Sequence, residues 1–115
     1  MPYKNAVLDD KELLSGLSSL HPHFGDLCEI LGDKLWGMEE IDQKTKCFLT
    51  MSIDIANQGV FETAPFLIHV DMAVKQGASR QEVEAVVLFC AMYAGFPKVA
   101  PALAALKNYF DEDNS

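Results

Sequence analysis

Residues 62–97 constrain the fold more than any other stretch, because they predict two consecutive helices joined by a tight turn. The first of these helices begins around Thr63, carries Pro65 in its first turn and ends at Gly77. Proline is tolerated at the start of a helix and glycine is favoured just past its end. The second helix starts at the motif Ser79-Arg80-Gln81-Glu82, a capping box in which the serine and glutamate side chains satisfy free backbone N–H groups. This helix boundary follows from local chemistry alone.

The rest of the chain also carries apolar residues at intervals of three and four, with no alternating strand pattern. Its helix starts and stops have local causes, such as Asp42 as an N-cap and Pro101 in a first helical turn. The predicted helices run, in chain order, from Asp9–Asp10 to His21–Pro22, over 24–37, from Asp42 to 57–59, from Thr63 to Gly77, from Ser79 to Gly95, and over 98–110. The sequence therefore predicts an all-α fold of about six helices.

The length and composition of the chain limit the size of its core and the kinds of partner it can bind. The chain has 115 residues, half of them apolar, which predicts a single domain over residues 1–115 with one modest core. Seventeen acidic residues against nine basic ones repel phosphate, so nucleic acid is not an expected partner. We see no signal peptide and no apolar run long enough to span a bilayer. Three scattered cysteines fit a reducing compartment, and a cytoplasmic protein is the prediction.

The predicted fifth helix has no charged residue between Glu84 and Lys98. A helix that is apolar all round is expected to be buried on every side. A chain of this size can hardly surround it alone, so a subunit interface is predicted to cover part of it, and the protein to be a homo-oligomer. The alternative is a central helix in a compact monomer.

His69 is the first candidate for chemistry, because it projects from an apolar face of its helix. A histidine there can exchange a proton near neutral pH, although a core histidine bonded to a backbone carbonyl is the alternative. Glu62 lies seven residues earlier and either shares this face or interacts with the helix dipole. Asp54 lies among apolar residues of the third helix, and its carboxylate either faces solvent, which we expect, or pairs inside the protein.

Cys47 is the candidate reactive thiol. It lies near the start of its helix beside Lys44 and Lys46, and both features lower a thiol pKa. An unreactive free thiol is the alternative, and Cys90 is expected to be inert core. The His21-Pro22-His23 pair lacks further ligands at the spacing of a known metal site, so no metal is predicted.

Two segments together resemble the carboxymuconolactone decarboxylase family, which includes the alkyl hydroperoxidase D-like proteins. They are KTKCFLTMSIDIAN (44–57) and FLIHVDMAVKQGASRQEVEAVVLFCAMYAGFPKVAPAL (66–103). The similarity covers about residues 42–106 and lies in a histidine-bearing helix, a G-x-[ST]-x-x-E-[IV] turn and a YAG-x-P ending. The resemblance implies an all-α fold assembled as a homotrimer or a hexamer.

The resemblance also implies which chemistry to expect. Members of the hydroperoxidase branch carry Cys-x-x-Cys, followed four residues later by the histidine. Those positions hold Glu62 and Pro65 here, or Gly59 and Glu62 if a loop insertion precedes His69. Without the second sulfur, a dithiol peroxidase cycle cannot resolve its sulfenate. In the decarboxylase branch, which uses no cofactor, His69 would protonate the dienolate left by loss of carbon dioxide, and Glu62 would orient it.

Three functions remain open at this point. The favoured one is a cofactor-free, decarboxylase-like enzyme acting on a small lactone or enol acid, with Lys46, Arg80 and Tyr93 as substrate contacts. An anionic lactone calls for arginine contacts, and Arg80 is the only arginine in the sequence. The alternatives are a thiol antioxidant that uses Cys47 with another cysteine (Cys28 or Cys90), and a non-catalytic oligomer that binds small molecules.

Overall fold

A computed structural model describes residues 2–57 and 65–113. Over these residues the chain forms helices and no strand, which confirms the all-α prediction. None of these helices is long and apolar enough to cross a membrane. The helices are α1 (Lys11–Leu20), α2 (Pro22–Lys34), α3 (Gln43–Asn57), α4 (Pro65–Lys75), α5 (Arg80–Phe89), α6 (Ala91–Ala94) and α7 (Phe96–Asp113).

The predicted helix caps are present. Asp10 accepts a hydrogen bond from the Leu13 backbone N–H at 3.1 Å and begins α1. Asp42 accepts one from the backbone N–H of Thr45 at 2.7 Å, at the start of α3. At the start of α5 both bonds of the Ser79–Glu82 capping box are formed, each 3.0 Å long. These side chains satisfy N–H groups that no helix can satisfy internally.

Two helix predictions need correction. The predicted fifth helix is interrupted at Cys90, which separates α5 from the short α6. The predicted sixth helix begins at Phe96, immediately after Gly95, whose φ of 97° is accessible to glycine at little cost. Pro101 consequently lies in the second turn of α7, inside the helix, where it removes one backbone hydrogen bond. The predicted start of the fourth helix at Thr63 lies outside the described residues.

Helices α3, α4, α5 and α7 form the main bundle. In it α3 packs on the other three, and α7 packs on α4 and α5. The short α6 packs on α7. The helical hairpin α1–α2 packs chiefly on itself and lies beside this bundle. The largest side chains that are completely buried come from α3, α4, α5 and α7. They are Phe66, Met51, Ile55, Leu106, Val70, Val83 and Val87.

Polar contacts attach the N-terminal part of the chain to the bundle. The backbone of Tyr3 exchanges two hydrogen bonds with the side chain of Gln76, at 3.0 and 2.9 Å. The ammonium of Lys75 lies 3.0 Å from the carboxylate of Asp10, the residue that also caps α1. The start of the hairpin is thus fixed to the end of α4.

One surface around the predicted fifth helix is exposed in the single chain. We call it the α5–α6 face; it consists of Leu88, Phe89, Met92 and Tyr93 of α5 and α6 together with Phe96 at the start of α7, which are between 55% and 81% exposed. The alternative of a central helix buried within a compact monomer is therefore wrong, because only the opposite side of α5, with Val83 and Val87, reaches the core. The predicted subunit interface stays a prediction.

Candidate active site

His69 on α4 and Asp54 on α3 form a hydrogen-bonded pair. The ring nitrogen Nδ1 of His69 contacts Oδ2 of Asp54. The side chain of Asp54 is 9% exposed and that of His69 is 22% exposed. Because water largely does not reach the carboxylate, the interaction between these two groups is stronger than the same pair would be on the surface.

The position of Asp54 corrects the prediction that it faces solvent. It lies on the same face of α3 as Cys47 and Met51, which are both completely buried, and next to the buried Ile55. This face of α3 packs against α4, so the carboxylate meets His69 there instead of water. Its spacing of three and seven residues from those two apolar positions was the available signal. Glu62, the acid predicted to orient His69, lies outside the described residues.

A cavity of about 530 Å³ lies between the α1–α2 hairpin and helices α3 and α4, and we call it the hairpin cavity. Its walls are mostly aliphatic and aromatic. The lining residues are Val7, Leu13, Leu17, Leu20, Phe24, Cys28, Leu31, Gly32, Trp36, Thr50, Pro65, Ile68, His69 and Met72. An apolar pocket with a few converging polar groups is the usual form of a small-molecule site.

The hydrogen bond to Asp54 determines what His69 offers to the cavity. A carboxylate beside Nδ1 favours the tautomer with the proton on Nδ1, which leaves Nε2 for another partner. No residue in the described ranges 2–57 and 65–113 forms a hydrogen bond with Nε2. Neutral imidazole accepts a proton at Nε2 and imidazolium donates one there, so the pair can act as a base or as an acid.

The sequence match places these features in a known family. The model of the carboxymuconolactone decarboxylase family matches residues 22–108. The chain belongs to this family. The match is wider than the region predicted from the sequence, and it contains both members of the His69–Asp54 pair but not α1, which forms one wall of the hairpin cavity. No curated protein and no solved structure gives a significant match.

In this member of the carboxymuconolactone decarboxylase family, Lys46 has a different environment from the one predicted. Its ammonium donates hydrogen bonds to the backbone carbonyls of Trp36 and Met38, at 2.7 and 2.6 Å. The residue is only 8% exposed and does not line the hairpin cavity. Lys46 therefore holds the connection between α2 and α3.

Arg80 and Tyr93, the other predicted substrate contacts, also lie away from the hairpin cavity. The guanidinium of Arg80 bonds to the carboxylates of Glu84 and Asp111, each at 3.0 Å. Tyr93 belongs to the exposed α5–α6 face and packs against the ring of Phe89, with 5.8 Å between the ring centroids. Neither residue therefore lines the cavity that His69 borders.

Cys47 does not have the environment of a reactive thiol. It is completely buried, and burial raises the pKa of its thiol to about 12. The predicted lowering of this pKa is wrong because the two nearby ammonium groups point elsewhere, Lys44 to Glu82 at 3.1 Å and Lys46 to backbone carbonyls. Cys28, which lines the hairpin cavity, is also a free thiol, and burial raises its pKa as well.

Cys90 is buried, and like the other two cysteines it forms no disulfide. Within the part of the chain that the structure describes, no group of three or more histidine, cysteine or acidic side chains could hold a metal ion.

Proposed function

We propose that this carboxymuconolactone decarboxylase family protein catalyses proton transfer to or from a carbon atom of a small organic molecule, with His69 as the acid–base residue. The observation that supports the proposal is the buried Asp54–His69 pair at the wall of an apolar cavity. Asp54 acts as a positioning residue, because it touches His69 and orients the ring. No cofactor is required for this chemistry.

Decarboxylation of a γ-lactone acid is one reaction of this kind. The bond between the substrate carbon and its carboxylate breaks, carbon dioxide leaves, and the electron pair remains on the substrate as a dienolate. Imidazolium Nε2–H of His69 then donates its proton to carbon, while Asp54 keeps its hydrogen bond to Nδ1. Solvent returns a proton to the imidazole, which completes the cycle.

Two assays with purified protein test the proposal. The first follows ultraviolet loss of 4-carboxymuconolactone, and the second follows deuterium uptake next to the carbonyl of 4-phenylcyclohexanone in D₂O by NMR. His69→Gln should reduce the active reaction by at least about 100-fold, the range typical of a lost general acid or base. His23→Gln is the matched control, because His23 is exposed on α2 and does not line the cavity.

Asp54→Asn tests the positioning role separately. It should lower kcat with a smaller change in KM, because the ring of His69 is no longer held in one orientation by the carboxylate. A purely structural role for Asp54 would lower the amount of folded enzyme and leave kcat per folded molecule unchanged. Full activity of His69→Gln, or no reaction of the wild-type protein in either assay, would refute the proposed function.

We also propose that the protein assembles through the α5–α6 face. Five large apolar side chains in one exposed area are unusual for a monomer and typical of an interface. Phe89→Glu should reduce the molar mass measured by light scattering, because it buries a charge in that contact. Ile53→Glu on α3, where the isoleucine is 59% exposed, is the control. A wild-type protein that is monomeric at micromolar concentration would contradict this interface.

A further inference from the structure

Among the described residues, the wall of the hairpin cavity has few polar groups for a site of its size. Four of the described lining residues carry a polar or thiol side-chain group: Cys28, Trp36, Thr50 and His69. The hydroxyl of Thr50 already donates to the backbone carbonyl of Lys46 at 2.7 Å, so it has no further proton to offer. The side-chain N–H groups on the described part of the wall therefore belong to His69 and Trp36.

No lysine or arginine lines this cavity. All nine lysine and arginine residues of the sequence fall within the described residues, since 58–64 contain none. The two cationic residues predicted as substrate contacts are paired elsewhere: Lys46 with backbone carbonyls and Arg80 with two carboxylates. A carboxylate inside the cavity would thus lose its hydration with no lysine or arginine to pair with, and the ring of His69 already has the carboxylate of Asp54 as its partner.

Charges around the cavity also disfavour an anionic ligand. A second cavity shares five lining residues with the first (Leu13, Leu17, Leu20, Ile68 and Met72), and Lys75 lies on its wall between two carboxylates. The ammonium lies 3.0 Å from Asp10 and 3.2 Å from Asp71, so this group carries a net negative charge. The chain as a whole has a formal charge of −8. An approaching anion is therefore repelled before it reaches His69.

We infer that the ligand of the hairpin cavity is a neutral, mostly apolar, ring-bearing molecule with one oxygen group facing Nε2 of His69. A hydroxyl donates to Nε2 of the neutral ring, and a carbonyl accepts from Nε2–H of imidazolium. The aromatic walls Phe24 and Trp36 suit a ring, and the aliphatic walls suit a hydrocarbon body. This inference rests on the proposed function, because it uses the same histidine. It directs that chemistry towards ketones and enols and away from multiply charged lactones.

The test compares two probes that share a body and differ in their head group, 4-phenylcyclohexanone and 4-phenylcyclohexane-1-carboxylate. Isothermal titration calorimetry should show that the wild-type protein binds the ketone at least about 10-fold more tightly than the carboxylate. Equal binding, tighter binding of the carboxylate, or no binding of either probe at millimolar concentration would overturn the inference.

Cys28→Lys places a cation on the wall of the cavity and should narrow or invert the preference. Ser15→Lys is the matched control: it adds the same charge at an exposed position of α1 that does not line the cavity, and the preference should remain. The readout is binding, so it is independent of turnover. A protein that binds the ketone but reacts in neither the lactone assay nor the deuterium-uptake assay would refute the proposed function and leave this inference standing.

Discussion

Replacing Lys46 with methionine separates a structural role from a role in substrate binding. Methionine keeps most of the length of the aliphatic stem and removes the ammonium. That ammonium donates hydrogen bonds to the backbone carbonyls of Trp36 and Met38, at 2.7 and 2.6 Å. Lys46 as a whole is only 8% exposed. Both carbonyls belong to the connection between α2 and α3, so we expect Lys46→Met to destabilise the fold.

The expected magnitude follows from these two bonds. A hydrogen bond from a charged donor contributes roughly 1.5–3 kcal/mol to stability. The carbonyl of Trp36 keeps a second donor, the side-chain amide of Gln43 at 2.6 Å, which reduces its share of the loss. Removal of a buried charge also offsets part of the loss. We therefore expect Lys46→Met to lower the free energy of unfolding by about 2–4 kcal/mol.

Urea denaturation at one fixed protein concentration measures this change, with Lys44→Met as the control. Lys44 lies two positions earlier and pairs with Glu82 at 3.1 Å, but both of these side chains are over a third exposed. A surface pair of this kind contributes about 0–1 kcal/mol. If the two variants lose the same stability, the structural role of Lys46 is refuted. If Lys46→Met instead keeps its stability and loses ligand affinity, the substrate contact predicted from the sequence is supported.

Two further predictions concern stability. Burial raises the pKa of Cys47 from 9.0 to about 12, so native stability should be intact below pH 9 and fall as the pH rises towards 12. Urea unfolding across this range should show a shallower fall for Cys47→Ala, and equal slopes would contradict the assignment. Gly77 has a φ of 93° with open space around it, so Gly77→Ala should cost about 1–3 kcal/mol of backbone strain. Gly16→Ala, inside α1 and equally unobstructed, should instead raise the stability by about 0.5–1 kcal/mol. Thermal melts of both variants measure the two changes, and a rise in stability for Gly77→Ala would contradict the prediction.

Helix boundaries could be predicted from the sequence because they depend on nearby residues. The caps at Asp10, Asp42 and Ser79 act within three residues of themselves, and all are present. The end of the fifth helix was harder to place. The break at Cys90 and the early start of α7 bring Pro101 into a helix interior, an outcome that tertiary packing allows and propensity alone disfavours.

The candidate site was predicted in part. His69 was selected for its apolar face, and the structure places it at the wall of a cavity. Asp54 was expected in solvent, although its spacing from Cys47 and Met51 placed it on the buried face of α3. Its pairing with His69 depends on how α3 and α4 pack, and no local rule gives that. The environments of Lys46 and Cys47 were also misjudged, since nearness in sequence says little about where an ammonium points.

A cavity separates much of the α1–α2 hairpin from the bundle, so few contacts make the two parts unfold together. Native-state hydrogen exchange should divide the chain into two cooperative units, with the amides of α1 and α2 opening before those of α3, α5 and α7. A molecule in the cavity contacts both units and is released when they separate. By mass action, a higher concentration of this molecule lowers the fraction of chains in which the hairpin is open, because the molecule binds only the closed state.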